Sequence, residues 1–364
     1  MSKILDAYYC LLRAGMWGIP SGNPLFCSLS AEEWNGILAL SKIQTVRGLV
    51  FGGVEKLSME MMPSVETIAT LAAWTDAIER RNMEMDRAVS GLWSLLVSGG
   101  LNPVLVKGQA VASFYRQPLY RECGDIDLYF NDTSEMAKAV ELVESRGADV
   151  RISPDGSRCF RWEGTVVEYH TNLIDLYSPA VRKYIDRTIR ERGFVEQNIS
   201  GGSLSVLVPA PELNLLMLYA HILKHVIGKG IGMRQMCDTA MACSHYAGKI
   251  DSDGFRMICE RSGISVWCRV LHSFMTGYLG LPAAELPFST PEADASELAA
   301  IVLKGGNFGQ FSSLSSKRDA PVFMRKARTA MSFLRHSRFS LSVAPWETSG
   351  VFLSLLAGQK RSAD

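Results

Sequence analysis

The sequence predicts an α+β protein, a small mixed β-sheet flanked by N-terminal and C-terminal helical regions, and three observations lead there. Apolar residues recur at helical spacings up to Gly99-Gly100. From 101 to about 208, short apolar runs alternate with brief helical stretches, and beyond Pro209 and Pro211 the pattern is helical again. The division this implies is 1–100 helical, 101–208 α/β core and 209–364 mainly helical. A chain of 364 residues exceeds the usual size of a single hydrophobic core, so such an extended core is expected.

The elements follow in order. Ser30 to Glu33 has the S-x-x-E form of a capping box and opens a helical segment running to about Lys56. After Pro63, Ile78, Met85, Val89, Leu92, Trp93 and Leu96 recur mostly at spacings of seven, four and three, the buried stripe of one long helix. Residues 103–106 form a short buried strand ending at Lys107-Gly108, and Ala110, Val111, Phe114 and Tyr115 give a brief helix behind it. Residues 125–130 form the next strand. Thr133 then caps a helix running to Arg146, with Gly147 just past its end, and 148–152 is again a strand. The turn at 154–157 sets 158–162 against 165–170, paired about Glu163-Gly164, and 203–208 is the last strand expected. Long helices cover 212–227 and 233–247. The apolar stretch 213–228 is interrupted by Asn214, His221, Lys224 and His225, which suits a buried helix and not a membrane span.

Hydrophobic residues at 47% and charged residues at 21% are the balance of a globular protein. Lysine plus arginine (38) nearly cancels aspartate plus glutamate (37), so no overall field draws the chain to nucleic acid or an anionic membrane. The eight cysteines include no CxxC pair, and the N-terminus lacks an apolar segment of signal-peptide type. Both point to reduced thiols in a cytoplasmic protein.

Chemistry concentrates in Asp125-Ile126-Asp127. At i and i+2 on a strand, the two carboxylates face one side while Ile126 faces the core, so together they can grip divalent cations. Two-metal phosphoryl-transfer sites hold ions roughly 3.5–4 Å apart on shared carboxylates, usually with a third from a neighbouring strand. Glu168, which alternates with Val167, is the candidate for that third position. A D-x-D alone is often an ordinary solvated strand start, and its context is what lends it weight.

That context is the segment VLVKGQAVASFYRQPLYRECGDIDLYF, residues 104–130. It resembles the polymerase-β-like nucleotidyltransferase superfamily, and most closely an uncharacterised bacterial branch with K-G, a short helix, R and then D-x-D. A related pattern occurs in nucleotidyltransferase toxins of bacterial toxin and antitoxin pairs. The likeness extends upstream to the long helix, and downstream through Glu168-Tyr169-His170, residues 221–225, 232–238 and 306–310. The resemblance implies a nucleotidyltransferase α/β core that moves a nucleoside monophosphate from a nucleoside triphosphate to a hydroxyl of an acceptor, whether small molecule, protein or RNA. It further implies Mg²⁺ or Mn²⁺ at Asp125, Asp127 and Glu168, with Lys107, Gly108, Arg121 and Gly124 around the nucleotide. One departure stands out: familiar members carry Gly-Ser before the D-x-D, where this chain has Lys107-Gly108. A lysine can serve the same phosphates as a point charge. The departure also leaves room for a non-catalytic nucleotide- or partner-binding protein on the same fold, and metal-dependent phosphoester hydrolysis is a third reading.

Other residues invite weaker readings. Arg121 suits either the triphosphate or a carboxylate partner that holds its loop. His170 reads as structural first and as support for a metal site second. His221 and His225 stand one turn apart but lack the glutamate of HExxH, so hydrogen-bonded core histidines are expected. Arg234 and Asp238 read most simply as a helix-surface ion pair, while the resemblance also allows them a role in supporting the site or binding the acceptor. Between Lys317 and Phe339, seven basic residues against Asp319 read as a solvated basic helix, or else as an RNA-binding face.

Overall fold

The computed structural model describes residues 2–153, 155–176, 178–228, 230–306 and 337–356. It is a mixed α+β fold. The first hundred residues form α1 (Lys3–Trp17), α2 (Ala31–Ile43), α3 (Arg47–Val54) and the long α4 (Val65–Ser98). The capping box at α2 is complete: the Ser30 side chain accepts from Glu33 N, and the Glu33 carboxylate accepts from Ser30 N at 2.7 Å. The segment expected to run to Lys56 is instead two helices. Thr45 adopts φ 52°, and the fully buried Gln44 turns to serve backbone groups elsewhere, donating to Val302 O at 3.0 Å and accepting from Met233 N at 2.8 Å. The demand of those buried polar groups outweighs helix continuity.

The sheet has the order β3-β4-β5-β2-β1-β7-β6. Its strands are β1 (Val104–Val106), β2 (Ile126–Tyr129), β3 (Arg151–Ile152), β4 (Arg158–Trp162), β5 (Thr165–His170), β6 (Phe194–Ile199) and β7 (Leu204–Pro209). β1 lies antiparallel to β2, whereas β2 and β5, and β1 and β7, run parallel. β4 and β5 form the expected hairpin, turning at Glu163 (φ 46°) and Gly164 (φ 76°). β3 is shorter than the 148–152 expected. β6 was not anticipated, because an edge strand reading Phe-Val-Glu-Gln-Asn-Ile, with Val195, Glu196 and Asn198 exposed, lacks a clean apolar alternation.

The helices α5 (Gly108–Ala112), α6 (Thr133–Glu144) and α7 (Pro179–Arg192) connect these strands. At α6 the cap is Asp132, whose side chain accepts from Ser134 N at 2.7 Å, so Thr133 is the first helical residue and not the cap. After β7 come α8 (Pro211–Gly228), α9 (Met233–Tyr246), α10 (Ser252–Arg261), α11 (Ser265–Gly277) and α12 (Ser296–Gly305).

The sheet has two covered faces. Leu105, Ile126, Leu128, Val167 and Tyr169 pack with Met85, Val89, Leu92 and Leu96 of α4 and Met136, Ala139 and Val143 of α6. The other face, with Val104, Val106 and Tyr129, meets a larger apolar body made by α1 to α3 and α8 to α12. Alternation along each strand therefore decides which side chains meet α8. No described helix is long and apolar enough to cross a membrane. All eight cysteines are free thiols. The basic segment from Lys317 lies outside the described residues as far as 336, as do residues 307–310.

Candidate active site

Asp127 pairs directly with Glu168 across the parallel β2–β5 ladder, and Tyr129 with His170. Neighbours in a ladder share a face, so Asp127, Glu168 and His170 all point away from the Ile126, Val167 and Tyr169 core. There they line a cleft of about 300 Å³, together with Asp125, Lys107, Gly108, Arg121 and Gly124 from the strand ends, and with residues of α8 and α9. Every residue expected at the site borders this one cleft. Its volume lies at the low end of the ~300–1,000 Å³ range of small-molecule pockets.

The acidic cluster is under electrostatic tension. Asp127 is buried at 6% exposure, deeper than an ordinary strand-end carboxylate. Burial alone would raise its carboxyl, but Lys107, with Nζ 3.7 Å from Oδ1, and the hydrogen bond to His170 Nε2 at 2.7 Å hold it well below the usual carboxylate range. Asp125 and Glu168 go the other way. The charge on Asp127 and then burial push Asp125 up, while burial first and Asp127 second push Glu168 up. Asp127, Glu168 and His170 offer ligand atoms that all lie within 4.8 Å of one another, the one such group among the described residues. His170 thus stands in the acidic cluster, and the signal was already in the sequence: it sits at i+2 from Glu168 on an alternating strand.

Lys107 and Gly108 sit at a strained corner. Lys107 adopts φ 57° and Gly108 φ 35°, and a Cβ on Gly108 would lie 3.3 Å from the Asp125 carbonyl oxygen. The close approach of β1's end to the D-x-D demands glycine there. Burial works against the charge of Lys107, yet Asp127, Asp175 and Asp125 outweigh it and raise its ammonium above the ordinary lysine value.

Of the two roles open to Arg121, the geometry shows the carboxylate partner. Its guanidinium grips Asp238 through Nε–Oδ1 at 3.1 Å and Nη2–Oδ2 at 2.6 Å. Arg234 and Asp238 are therefore no surface ion pair. Both are buried on α9; Asp238 also accepts from Tyr115 Oη at 2.8 Å, and Arg234 Nη1 donates to Glu122 O at 2.6 Å. From the other side, Asn82 Nδ2 on α4 donates to the carbonyls of Leu119 and Arg121, and Arg47 on α3 pairs with Glu122 at 2.5 Å. Three helices thereby fix the 119–124 loop that delivers Gly124 and Asp125. Gly124 itself is exposed, and a Cβ there would meet only Arg234 Nη1 at 3.9 Å, so its backbone does not require glycine.

Asp175 and its partner Lys224 escaped the sequence reading. Asp175, in the loop after β5, lies 3.0 Å from Lys224 Nζ and 3.7 Å from His221 Nδ1 of α8. Burial opposes its charge, but His221, Lys224 and Lys107 hold it well below the usual range. His221 is pushed down to about 4 by burial and then by Lys107, and its ring meets His225 edge-on at 4.6 Å. Both histidines line the cleft and are only partly buried, and neither belongs to the ligand group above. Nothing in the spacing of Asn172 to Leu176 marks Asp175 as special.

A family model described as an uncharacterised nucleotidyltransferase matches residues 30–272, more than half of the chain. No curated protein and no solved structure matches.

Proposed function

The chain belongs to the uncharacterised nucleotidyltransferase family, and on that footing we propose a metal-dependent enzyme of polymerase-β-like design. It moves a nucleoside monophosphate from a nucleoside triphosphate to a hydroxyl of an acceptor and releases pyrophosphate. The observation that carries this reading is the parallel pairing of Asp127 with Glu168, which sets a third carboxylate beside the D-x-D in a cleft that also holds Lys107.

The donor set fits a divalent cation. The charge of Asp127 and burial raise the carboxyls of Asp125 and Glu168, and a bound cation would favour their ionised forms. Three carboxylates suit Mg²⁺ or Mn²⁺. Asp125, Asp127 and Glu168 would hold such cations, whose charge, when bound, would neutralise the triphosphate and acidify the attacking hydroxyl.

The chain's own residues do the rest. His170 fixes the Asp127 carboxylate in one orientation through its 2.7 Å hydrogen bond. Lys107 and Lys224 both border the cleft and offer positive charge to the β and γ phosphates of the nucleotide. Glu168, whose side chain is 32% exposed against 8% for Asp127, is the carboxylate open to the acceptor and takes its proton. Arg121 holds the loop by its pair with Asp238 and leaves the phosphates to the lysines. Rate enhancement then comes chiefly from positioning and charge neutralisation.

The test is incubation of the purified protein with each α-labelled nucleoside triphosphate and Mg²⁺ or Mn²⁺ over a cell extract. Label moving into one fraction of small molecule, protein or RNA supports transfer and identifies the acceptor class. Nucleotide breakdown with no labelled acceptor supports hydrolysis instead, and binding without turnover supports the non-catalytic reading.

A further inference from the structure

A carboxylate beside a polyphosphate site repels what the site must bind, so one that stands there needs a reason. Asp125, Asp127 and Glu168 have theirs in a divalent cation. Asp175 borders the same cleft, yet it lies outside the ligand group of Asp127, Glu168 and His170.

The chain fixes Asp175 from both sides. Before it, Leu173 and Ile174 are buried at 6% and 2% exposure in the larger apolar body, and Leu176 N donates to Ile174 O at 2.9 Å, so the loop leaving β5 is anchored. Facing it is α8, which is buried along most of its length. His221 and Lys224, three residues apart, share the face of α8 that borders the cleft. The Asp175 carboxylate divides its oxygens between them: Oδ1 lies 3.0 Å from Lys224 Nζ and Oδ2 3.7 Å from His221 Nδ1. Its charge also reaches Lys107, whose ammonium it favours second only to Asp127, while Lys224 acts on Lys107 in the opposite sense. Two like charges thus share one cleft, and Asp175 stands in the field of both. Asp155 feels Lys224 too, but its Oδ1 accepts from Ser157 N at 3.2 Å and from Ser157 Oγ at 2.8 Å.

A lysine ammonium on its four-carbon stem rotates freely until a partner fixes it. We propose that Asp175 is a positioning residue of the nucleotide site: it holds the Lys224 ammonium in place for the triphosphate and offsets its repulsion with Lys107. The inference rests on the cleft being a triphosphate site. It acts through Lys224, and its own carboxylate touches neither metal nor nucleotide.

The metal-free full chain is titrated by calorimetry with inorganic tripolyphosphate, a probe that needs no turnover. Were Asp175 only a background charge, Asp175→Asn would tighten binding, because a repelling carboxylate is removed. Positioning predicts the opposite sign: Asp175→Asn should weaken tripolyphosphate about threefold or more, and Asp175→Glu, which returns the charge on a longer stem, should recover most of the loss. In a Lys224→Ala background, Asp175→Asn should cause no further weakening, whereas a carboxylate that merely supports the fold would weaken both backgrounds alike. Should Asp175→Asn fail to fold, Asp175→Ser, which keeps a hydroxyl acceptor but no charge, is read in the same way. Label transfer from an α-labelled nucleoside triphosphate is followed separately; its absence in the native chain would remove the enzymatic reading while the tripolyphosphate titration still decides on Asp175. The proposal is overturned if the native chain does not bind tripolyphosphate, if the folded neutral variant binds it as tightly as the native chain or more tightly, or if the loss persists undiminished without Lys224.

Discussion

Replacing Glu168 by Gln is expected to make the metal-free protein more stable and the enzyme far less active. Carboxylate oxygens of Glu168 and Asp127 lie within 4.8 Å, a separation at which two like unit charges repel by roughly 3 kcal/mol at an effective dielectric constant of ~20. The Glu168 side chain is 32% exposed and His170 Nε2 stands 3.6 Å away, so screening and that partner leave about 1 kcal/mol. The sign follows from linkage. Burial and Asp127 raise the folded-state carboxyl of Glu168, so its stabilising contribution is complete at acid pH and is lost as pH rises through the raised value. A neutral glutamine avoids that loss. In a chelator at about pH 8, Glu168→Gln should therefore melt about 1–2 °C above the native chain, and at about pH 4 the advantage should disappear. Adding Mn²⁺ should reverse the order, because the native cluster gains more from a cation than the variant does. Transfer should fall by about 10²–10⁴-fold, more than nucleotide binding does. A variant less stable than the native chain in chelator, or equal stabilisation of both by Mn²⁺, would refute the reasoning.

Further perturbations probe the neighbours. Asp125→Asn and Asp127→Asn should each abolish metal-dependent transfer while circular dichroism reports a folded chain, since both side chains border the cleft; unchanged turnover in either removes the carboxylate mechanism. Lys107→Ala should weaken triphosphate binding more than monophosphate binding, as measured by calorimetry, and equal weakening would place Lys107 away from the β and γ phosphates. Asp175 has a depressed carboxyl, so the stability it contributes is present above the ordinary aspartate value and is lost as pH falls below about 4. Asp175→Asn should accordingly flatten the acid limb of a melting-temperature profile, and an unaltered limb would discount the Lys224 and His221 contacts. Gly53→Ala should destabilise the N-terminal helices by about 1–3 kcal/mol or more in denaturant unfolding, because overpacking strains a tight contact and the added Cβ would sit 2.0 Å from Leu11 O.

Much of the fold was legible because its periodicities are strong. The stripe on α4, the alternation in β5 and the capping box at Ser30 each state a local rule that tertiary structure left intact. Where the expectations failed, a distant partner had overridden the local rule. Gln44 leaves its helix to bond Val302 and Met233, and β6 is polar because it is an edge. The same division holds at the site. Asp125, Asp127 and Glu168 could be placed on one face from strand alternation alone, and the ladder pairs Asp127 with Glu168. That Arg121 grips Asp238, 117 residues away, and that Asp175 anchors Lys224, are consequences of how α8 and α9 lie against the sheet. Spacing along the chain carries no trace of them.

The most direct test of the central claim follows both ends of one nucleotide. The native protein, Asp127→Asn and Glu168→Gln are each incubated with acceptor-containing extract, Mn²⁺ and a nucleoside triphosphate labelled at either the α or the γ phosphorus. Nucleotidyl transfer predicts that native protein moves the α label onto the acceptor and releases the γ label in pyrophosphate in equal amount, and that both transfers vanish with Asp127→Asn. Label reaching the acceptor from the γ position, or α transfer that survives Asp127→Asn, would contradict it.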